Sequence, residues 1–321
     1  MLELSLRSLS AGGRQILNRP SEISSPTAVA RVRGAAYHAL GLQRRTKDHA
    51  HPFRFATLAG ALLLAGCQAV NTTSGGAVGV DRKQYMFSML SSQEVDQMYA
   101  QSYQKTLGEA KSAGVLDTSS ADARRVKAIA QRLIPQTAAF RPDATGWNWE
   151  VNVVKSDELN ANCGPGGKII FYTGLIDKLK LTDDEIAAVM GHEIAHALRE
   201  HGREAMSKAY GVQVASQIGA LAGLGQESLQ LANTGVDYLM TLPNSRANEN
   251  EADLIGLELA ARAGYNPEAA ITLWQKMGRA SGGASQPEFT STHPSDSSRM
   301  ANLQAAIPKV MPLYQQARRG K

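Results

Sequence analysis

Residues 191–200 read GHEIAHALRE. His192 and His196 are four apart, so on an α-helix they stand one turn above the other on one face. Both imidazoles can then aim a nitrogen at one cation. Glu193 projects about 100° round from His192, within reach of a water on that cation. This is the H-E-x-x-H arrangement, in which two neutral imidazoles ligate zinc and the carboxylate serves as general base. A helix can also carry two histidines as hydrogen-bonded core or surface residues, so the motif needs a third ligand.

Residues 244–253, NSRANENEAD, supply candidates. Glu249 and Asp253 share a helix face. Glu249 is expected to complete a two-His, one-Glu site, and Asp253 to accept the second ring N–H of His192 and fix its tautomer. Glu251 points elsewhere and is the rival ligand. His201 follows His192 by nine residues, about 180° round a continuing helix. It is expected to face solvent or to hydrogen-bond between helices. It also misses the metzincin spacing, because positions 199 and 202 are Arg199 and Gly202.

H-E-x-x-H with E-N-E-A-D beginning 53 residues after His196 resembles the gluzincin metallopeptidases of the Ste/HtpX type. The runs SRANENEADLIGLELAARAGYNPEAA and THPSDSSR are similar to the family's small periplasmic lipoprotein branch, the LoiP type. The resemblance spans roughly residues 85–315. It implies one Zn2+ per chain, metalloendopeptidase activity of the EC 3.4.24 type, and Glu249 as third ligand. It also brings a histidine and an arginine near the metal, here His293 and Arg299, both expected to be catalytic. Three roles stay open for His293. It stabilises the oxyanion, it occupies the open zinc position until substrate displaces it, or it caps a helix without chemistry. A histidine just before Pro294 should precede a final helix.

The elements that must hold these residues are visible too. Thr182 with Glu185 forms a capping box, with Leu181 and Ile186 as a hydrophobic staple. Ile186, Val189, Met190, Ile194 and Leu198 then recur at helical spacing. Leu254, Leu257, Leu259 and Ala260 continue a second helix that should end near Gly264. Helices are expected near 91–112 and 119–134, and strands near 148–154 and 168–173. Lys168–Thr173 follows a Gly-rich turn. The resemblance makes that segment an edge strand beside the active-site helix. Gly167, Lys168, Ile169 and Ile170 would then receive an extended substrate by strand addition. Cys163 has no assigned histidine partner and is not read as a nucleophile. Residues 211–225 are free of charge but too short to span a bilayer, so they read as a core helix or a mobile lid. The fold class expected is α+β, a mainly helical metallopeptidase domain with a small β-sheet at the edge of the active-site cleft.

The chain has 321 residues and a formal charge of +5. Residues 1–66 hold nine Lys/Arg and three Asp/Glu, a net of +6, which leaves −1 for the rest. The remainder therefore has no electrostatic reason to bind nucleic acid. Arg44, Arg45, Lys47 and Arg54 precede an apolar run ending in Leu64-Ala65-Gly66-Cys67, which reads as a secretory signal and resembles a bacterial lipobox. That implies lipidation of Cys67, and Gln68 after it favours the outer membrane. The divisions expected are residues 1–66 as amino-terminal extension and signal peptide, 67–84 as lipidated flexible tether, and 85–321 as zinc metallopeptidase domain. With Cys67 lipidated, Cys163 is left without a disulfide partner. No membrane-spanning helix is expected within the domain, and an end at 321 leaves no expectation of an appended helical-repeat domain.

The expectation is thus a zinc endopeptidase in the periplasm, anchored by lipid to the outer membrane. Its implied partners are unfolded or misfolded envelope proteins. Two rivals are a non-catalytic outer-membrane lipoprotein acting as chaperone or assembly factor, and a metal-dependent hydrolase of a non-peptide bond.

Overall fold

Local signals set most helix boundaries. In the computed structural model, which describes residues 66–221, 245–280, 288–293 and 297–320, helix α1 (Ser92–Ser112) starts at a capping box between Ser91 and Glu94. Ser120 caps α2 (Ala121–Leu133). Thr182 and Glu185 form the expected capping box at the start of α4 (Asp183–Leu198), after the short α3 (Thr173–Leu179). Such caps satisfy amide N–H groups that the first turn leaves without partners. Helix α4 stops because Glu200 turns to φ 50°, and α5 (His201–Leu221) begins at once. Ser245 caps α6 (Arg246–Arg262), which ends before Gly264 at φ 77°. Helices α7 (Ala269–Ala280), α8 (Glu288–Thr292) and α9 (Ser297–Arg319) follow.

Helix α4 is the centre of the core. Ile186, Val189, Met190, Ile194 and Leu198 are fully buried, each such side chain stabilising by about 1.5–3 kcal/mol. The helix packs against α2, α6, α7 and strand β5, and α6 packs in turn on α9. The mainly helical α+β class is what the sequence predicted. No helix among the described residues is long and apolar enough to cross a membrane. Of the charge-free stretch 211–225, residues to Leu221 continue α5, and 222–225 lie outside the described residues.

Two sheets complete the fold. Strands β1 (Cys67–Val70) and β2 (Gln84–Phe87) pair antiparallel, with Cys67 opposite Phe87. In the larger sheet the order is β3 (Leu116–Asp117), β4 (Glu150–Val154), β6 (Lys168–Tyr172), β5 (Ala161–Gly164). The hairpin from β5 to β6 turns through Gly166 and Gly167, at φ 68° and 81°, values that favour glycine.

Two expectations need correction. Lys168, Ile169 and Ile170 are not on an edge: β6 pairs with β4 on one side and β5 on the other, and Gly167 lies in the turn before it. The strand beside α4 is β5. Nor are residues 67–84 a flexible tether. Val78 and Val80 are buried, and Ser74 N–H donates to the Phe140 carbonyl. Val78 N–H donates to Glu258, and Arg82 pairs with Glu204 and Glu251. The small polar residues that suggested slack instead fit a narrow path across the domain. Residues 1–65, which carry the proposed signal, lie outside the described residues.

Candidate metal centre

Helices α4 and α6 cross where Gly191 meets Gly256. A Cβ at Gly256 would stand 2.6 Å from the His192 nitrogen, and one at Gly191 would stand 2.7 Å from the Gly256 carbonyl oxygen. Two missing side chains thus let the backbones touch, directly beside His192 and one turn from Asp253. The approach brings His192 and His196 of α4 onto Glu249 of α6. His293 joins them from the end of α8, where its N–H donates to the Phe289 carbonyl.

The donor atoms converge. His192 Nε2 lies 3.1 Å from His196 Nε2 and 3.2 Å from His293 Nδ1. Glu249 Oε1 is 3.0 Å from His293 Nδ1 and 3.4 Å from His196 Nε2, while Oε2 is 3.4 Å from His192 Nε2. The four residues are buried, with ligand atoms all within 4.8 Å of one another. Zinc ligands at about 2.0–2.1 Å in a tetrahedron stand about 3.3 Å apart. The separations therefore fit the edges of a zinc coordination shell. Two imidazole nitrogens 3.1 Å apart require a proton between them or a cation facing both lone pairs. Three imidazoles and a carboxylate are a donor set suited to zinc.

Electrostatics agree with crowding around one point. Burial opposes charge on His192, but hydrogen bonds to Asp253 and Glu249 prevail and raise its pKa to about 9. Burial holds His196 well below the ordinary histidine value. For Glu249 burial favours the neutral acid, yet nearby His293 and the other imidazoles bring its pKa well below normal. Burial raises the Glu193 pKa, and its Oε1 has no hydrogen-bond partner among the described residues, with His293 Nε2 3.5 Å away. Leaving a buried polar atom unpaired costs about 1–3 kcal/mol, and more for a charged group; Glu193 lines the cleft together with His196 and His293.

A supporting layer fixes the ligands. Asp253 Oδ1 accepts from His192 Nδ1 at 3.0 Å, as expected. Arg299 donates to both Asp253 oxygens at 2.7 Å and lies over the Trp274 ring. Its Nη1 is also 2.7 Å from Glu249 Oε2, a charge contact without the alignment of a hydrogen bond. Arg299 is therefore placed behind Glu249 and Asp253 as a brace, rather than facing the cleft as a catalytic group. Trp274 and Phe289 wall the site, and Phe289 stacks on His293 at 4.4 Å.

His201 stands nearer the site than its helical angle implied. The break at Glu200 resets the angle, so His201 Nδ1 comes within 2.8 Å of His196 Nδ1. Of its two expected roles, the interhelical hydrogen bond is the one observed: His201 Nε2 lies 3.2 Å from Glu251 Oε2. Glu251, the rival ligand, points away from the donor set. The residue that breaks the helix, Glu200, is neither glycine nor proline, and the nearby Gly202 lies inside α5, so the break and the place of His201 are hard to read from the sequence.

A cleft of about 300 Å3 opens over Glu193, His196 and His293. Strand β5 forms one wall, and Tyr99, Trp147 and Tyr172 line it with apolar surface. Cys163 of β5 is buried and unpaired, and burial pushes its thiol pKa well up, which suits packing and not nucleophilic attack.

Mitochondrial metalloendopeptidase OMA1 of Arabidopsis thaliana is 37% identical over 179 residues, covering 55% of this chain and 36% of that protein. Metalloprotease LoiP of Escherichia coli is 27% identical over 248 residues, 76% of this chain and 91% of LoiP. The beta-barrel assembly-enhancing protease of the same bacterium is 28% identical over 177 residues, 51% of this chain and 36% of that protein. The chain thus spans little more than a third of OMA1 and of the assembly-enhancing protease, and most of LoiP. Residues 120–307, which contain the whole donor set and its braces, match Peptidase family M48, and the chain belongs to that family.

Proposed function

We propose that this chain is a zinc-dependent endopeptidase of the bacterial periplasm, anchored by a lipid on Cys67 to the outer membrane, that cleaves unfolded or misfolded envelope proteins. One observation carries the catalytic part. The buried Glu193 carboxyl, with an oxygen unpartnered among the described residues, stands beside two histidines and a glutamate whose donor atoms fit a zinc shell. His192, His196 and Glu249 would hold a zinc ion, which when bound would polarise a peptide carbonyl as a Lewis acid and acidify water. Glu193 takes the proton from the attacking water and passes it to the leaving amine. His293 Nδ1 sits in the donor set, so His293 acts as a plug that substrate must displace. Substrate lies extended along the outer edge of β5, which borders the cleft, in place of the β6 residues predicted from sequence. Family membership and relatives named as a metalloprotease and a beta-barrel assembly-enhancing protease support the reaction and the envelope setting. Because β1 starts at Cys67 and the following segment is packed, a lipid there would hold the domain against the membrane with little slack.

The test is metal analysis of the purified chain together with casein hydrolysis, with and without chelator, for the unsubstituted chain and Glu193→Gln. Stoichiometric zinc and hydrolysis lost in both the chelated and the substituted protein are expected. Zinc-loaded protein that cleaves nothing, with envelope function surviving Glu193→Gln, would favour the chaperone reading. Radiolabelled palmitate incorporation abolished by Cys67→Ala tests the anchor.

A further inference from the structure

His192 and His196 are supported in different ways. His192 leans on Asp253 directly, and Arg299 holds that acid. His196 leans on a second imidazole. Its Nε2 faces the donor set, so with that lone pair directed at a cation its Nδ1 must carry the proton. His201 Nδ1, 2.8 Å away, is then the acceptor. His201 in turn carries its proton on Nε2 and donates to Glu251 Oε2 at 3.2 Å. Both imidazoles stay neutral, and one tautomer of each satisfies every contact.

Glu251 is itself clamped. Arg199 Nε donates to its Oε2 at 2.8 Å, and Arg82 donates to both of its oxygens. Arg199 is fully buried and bonds Asn71, Thr73 and the Arg82 carbonyl. The chain of bonds therefore runs from a metal-facing imidazole to the segment just after β1. Nothing in H-E-x-x-H chemistry requires this second arm.

We propose, resting on the zinc reading above, that His201 and Glu251 are positioning residues: His201 sets the tautomer and ring orientation of His196, and Glu251, clamped by Arg82 and Arg199, sets His201. Groups that orient a metal-bound histidine typically contribute 10–100-fold to metal affinity.

The experiment measures the zinc dissociation constant of the full chain by competition with a chromophoric chelator, and the visible absorption of the cobalt(II)-substituted protein. His201→Leu removes the acceptor. His201→Asn retains an oxygen near the place of Nδ1. Glu251→Gln keeps shape and removes charge. His201→Leu should weaken zinc about 10–100-fold and alter the cobalt bands, and His201→Asn should restore most of the loss. Glu251→Gln should fall between them. Melting of each apoprotein in chelator shows whether the fold is kept, and if His201→Leu does not fold, Glu251→Gln decides. Unsubstituted chain that binds no zinc overturns the metallopeptidase reading and this inference with it. Unsubstituted chain that binds zinc, with Glu251→Gln matching it in affinity and spectrum, overturns this inference alone.

Discussion

Replacing Gly256 with alanine tests whether the close crossing of α4 and α6 sets the metal site. The new Cβ would lie 2.6 Å from the His192 nitrogen and 2.7 Å from the Gly191 carbonyl carbon. Ordinary contact begins at 3.4 Å, so the helices must part by ~0.8 Å, and both clashing groups are backbone. Ligand distances in a zinc site tolerate about 0.2 Å, a quarter of that displacement. Overpacking of this kind costs about 1–3 kcal/mol, or about 2–12 °C in Tm for a domain of this size. Gly256→Ala should therefore lower the Tm of the apoprotein and weaken zinc by at least about tenfold, equivalent to ~1.4 kcal/mol. Gly278→Ala is the control: it is exposed in α7, with no described residue within 4 Å of the added Cβ. That change should stabilise by about 0.5–1 kcal/mol and leave zinc binding unchanged. Differential scanning calorimetry in chelator and chelator competition measure the two effects. A Gly256→Ala protein that melts and binds zinc like the parent refutes the argument.

Four further outcomes are expected. Zinc at a thousandfold excess over its Kd should raise unfolding free energy by about 4 kcal/mol, and identical melts in zinc and in chelator would contradict a site in the folded state. Asp253→Asn should weaken zinc about 10–100-fold, read by the same competition assay. His293→Ala should raise turnover of a short peptide if the imidazole is a plug; lower turnover at full zinc occupancy would assign it to catalysis instead. Glu204 and Glu251 feel burial that favours the neutral acid, but hydrogen bonds, from Arg82 above all to Glu204 and from His201 and then Arg82 to Glu251, bring both to about 2, against an ordinary 4.5. Depressed carboxylates stabilise fully above pH 4.5 and lose that contribution as pH falls towards 2. Urea unfolding of the apoprotein between pH 6 and pH 3 should show this loss, and Arg82→Gln should flatten it.

Much of the site was legible because its signals are local. The capping box at Thr182 fixes where α4 starts, and four-residue spacing then puts His192 and His196 on one face. The same spacing pairs Glu249 with Asp253, although only the packing of α6 on α4 and α9 shows that both are buried. What stayed hidden depends on distant partners. Strand β5, ANCG, has small and polar residues with little strand preference, and only its pairing with β6 makes it the strand beside the cleft. β6, rich in Ile and Phe, looks like the better edge because its type is the stronger strand signal, yet such residues favour the interior of the sheet. Residues 67–84 have the composition of a linker, but Arg199 and Glu258 reach them from far along the chain. His201 was misplaced because a non-glycine residue, Glu200, takes a left-handed turn to break the helix.

The donor set is drawn from places far apart in the chain: His293 meets Glu249 across 44 residues and His192 across 101. No local fragment can assemble it, and an isolated α4 carries only half of the ligands. Hydrolytic competence should consequently arrive last during maturation, after the tertiary packing of α4, α6 and α8. Under the proposed endopeptidase reading, the same dependence makes loss of shape an automatic off state.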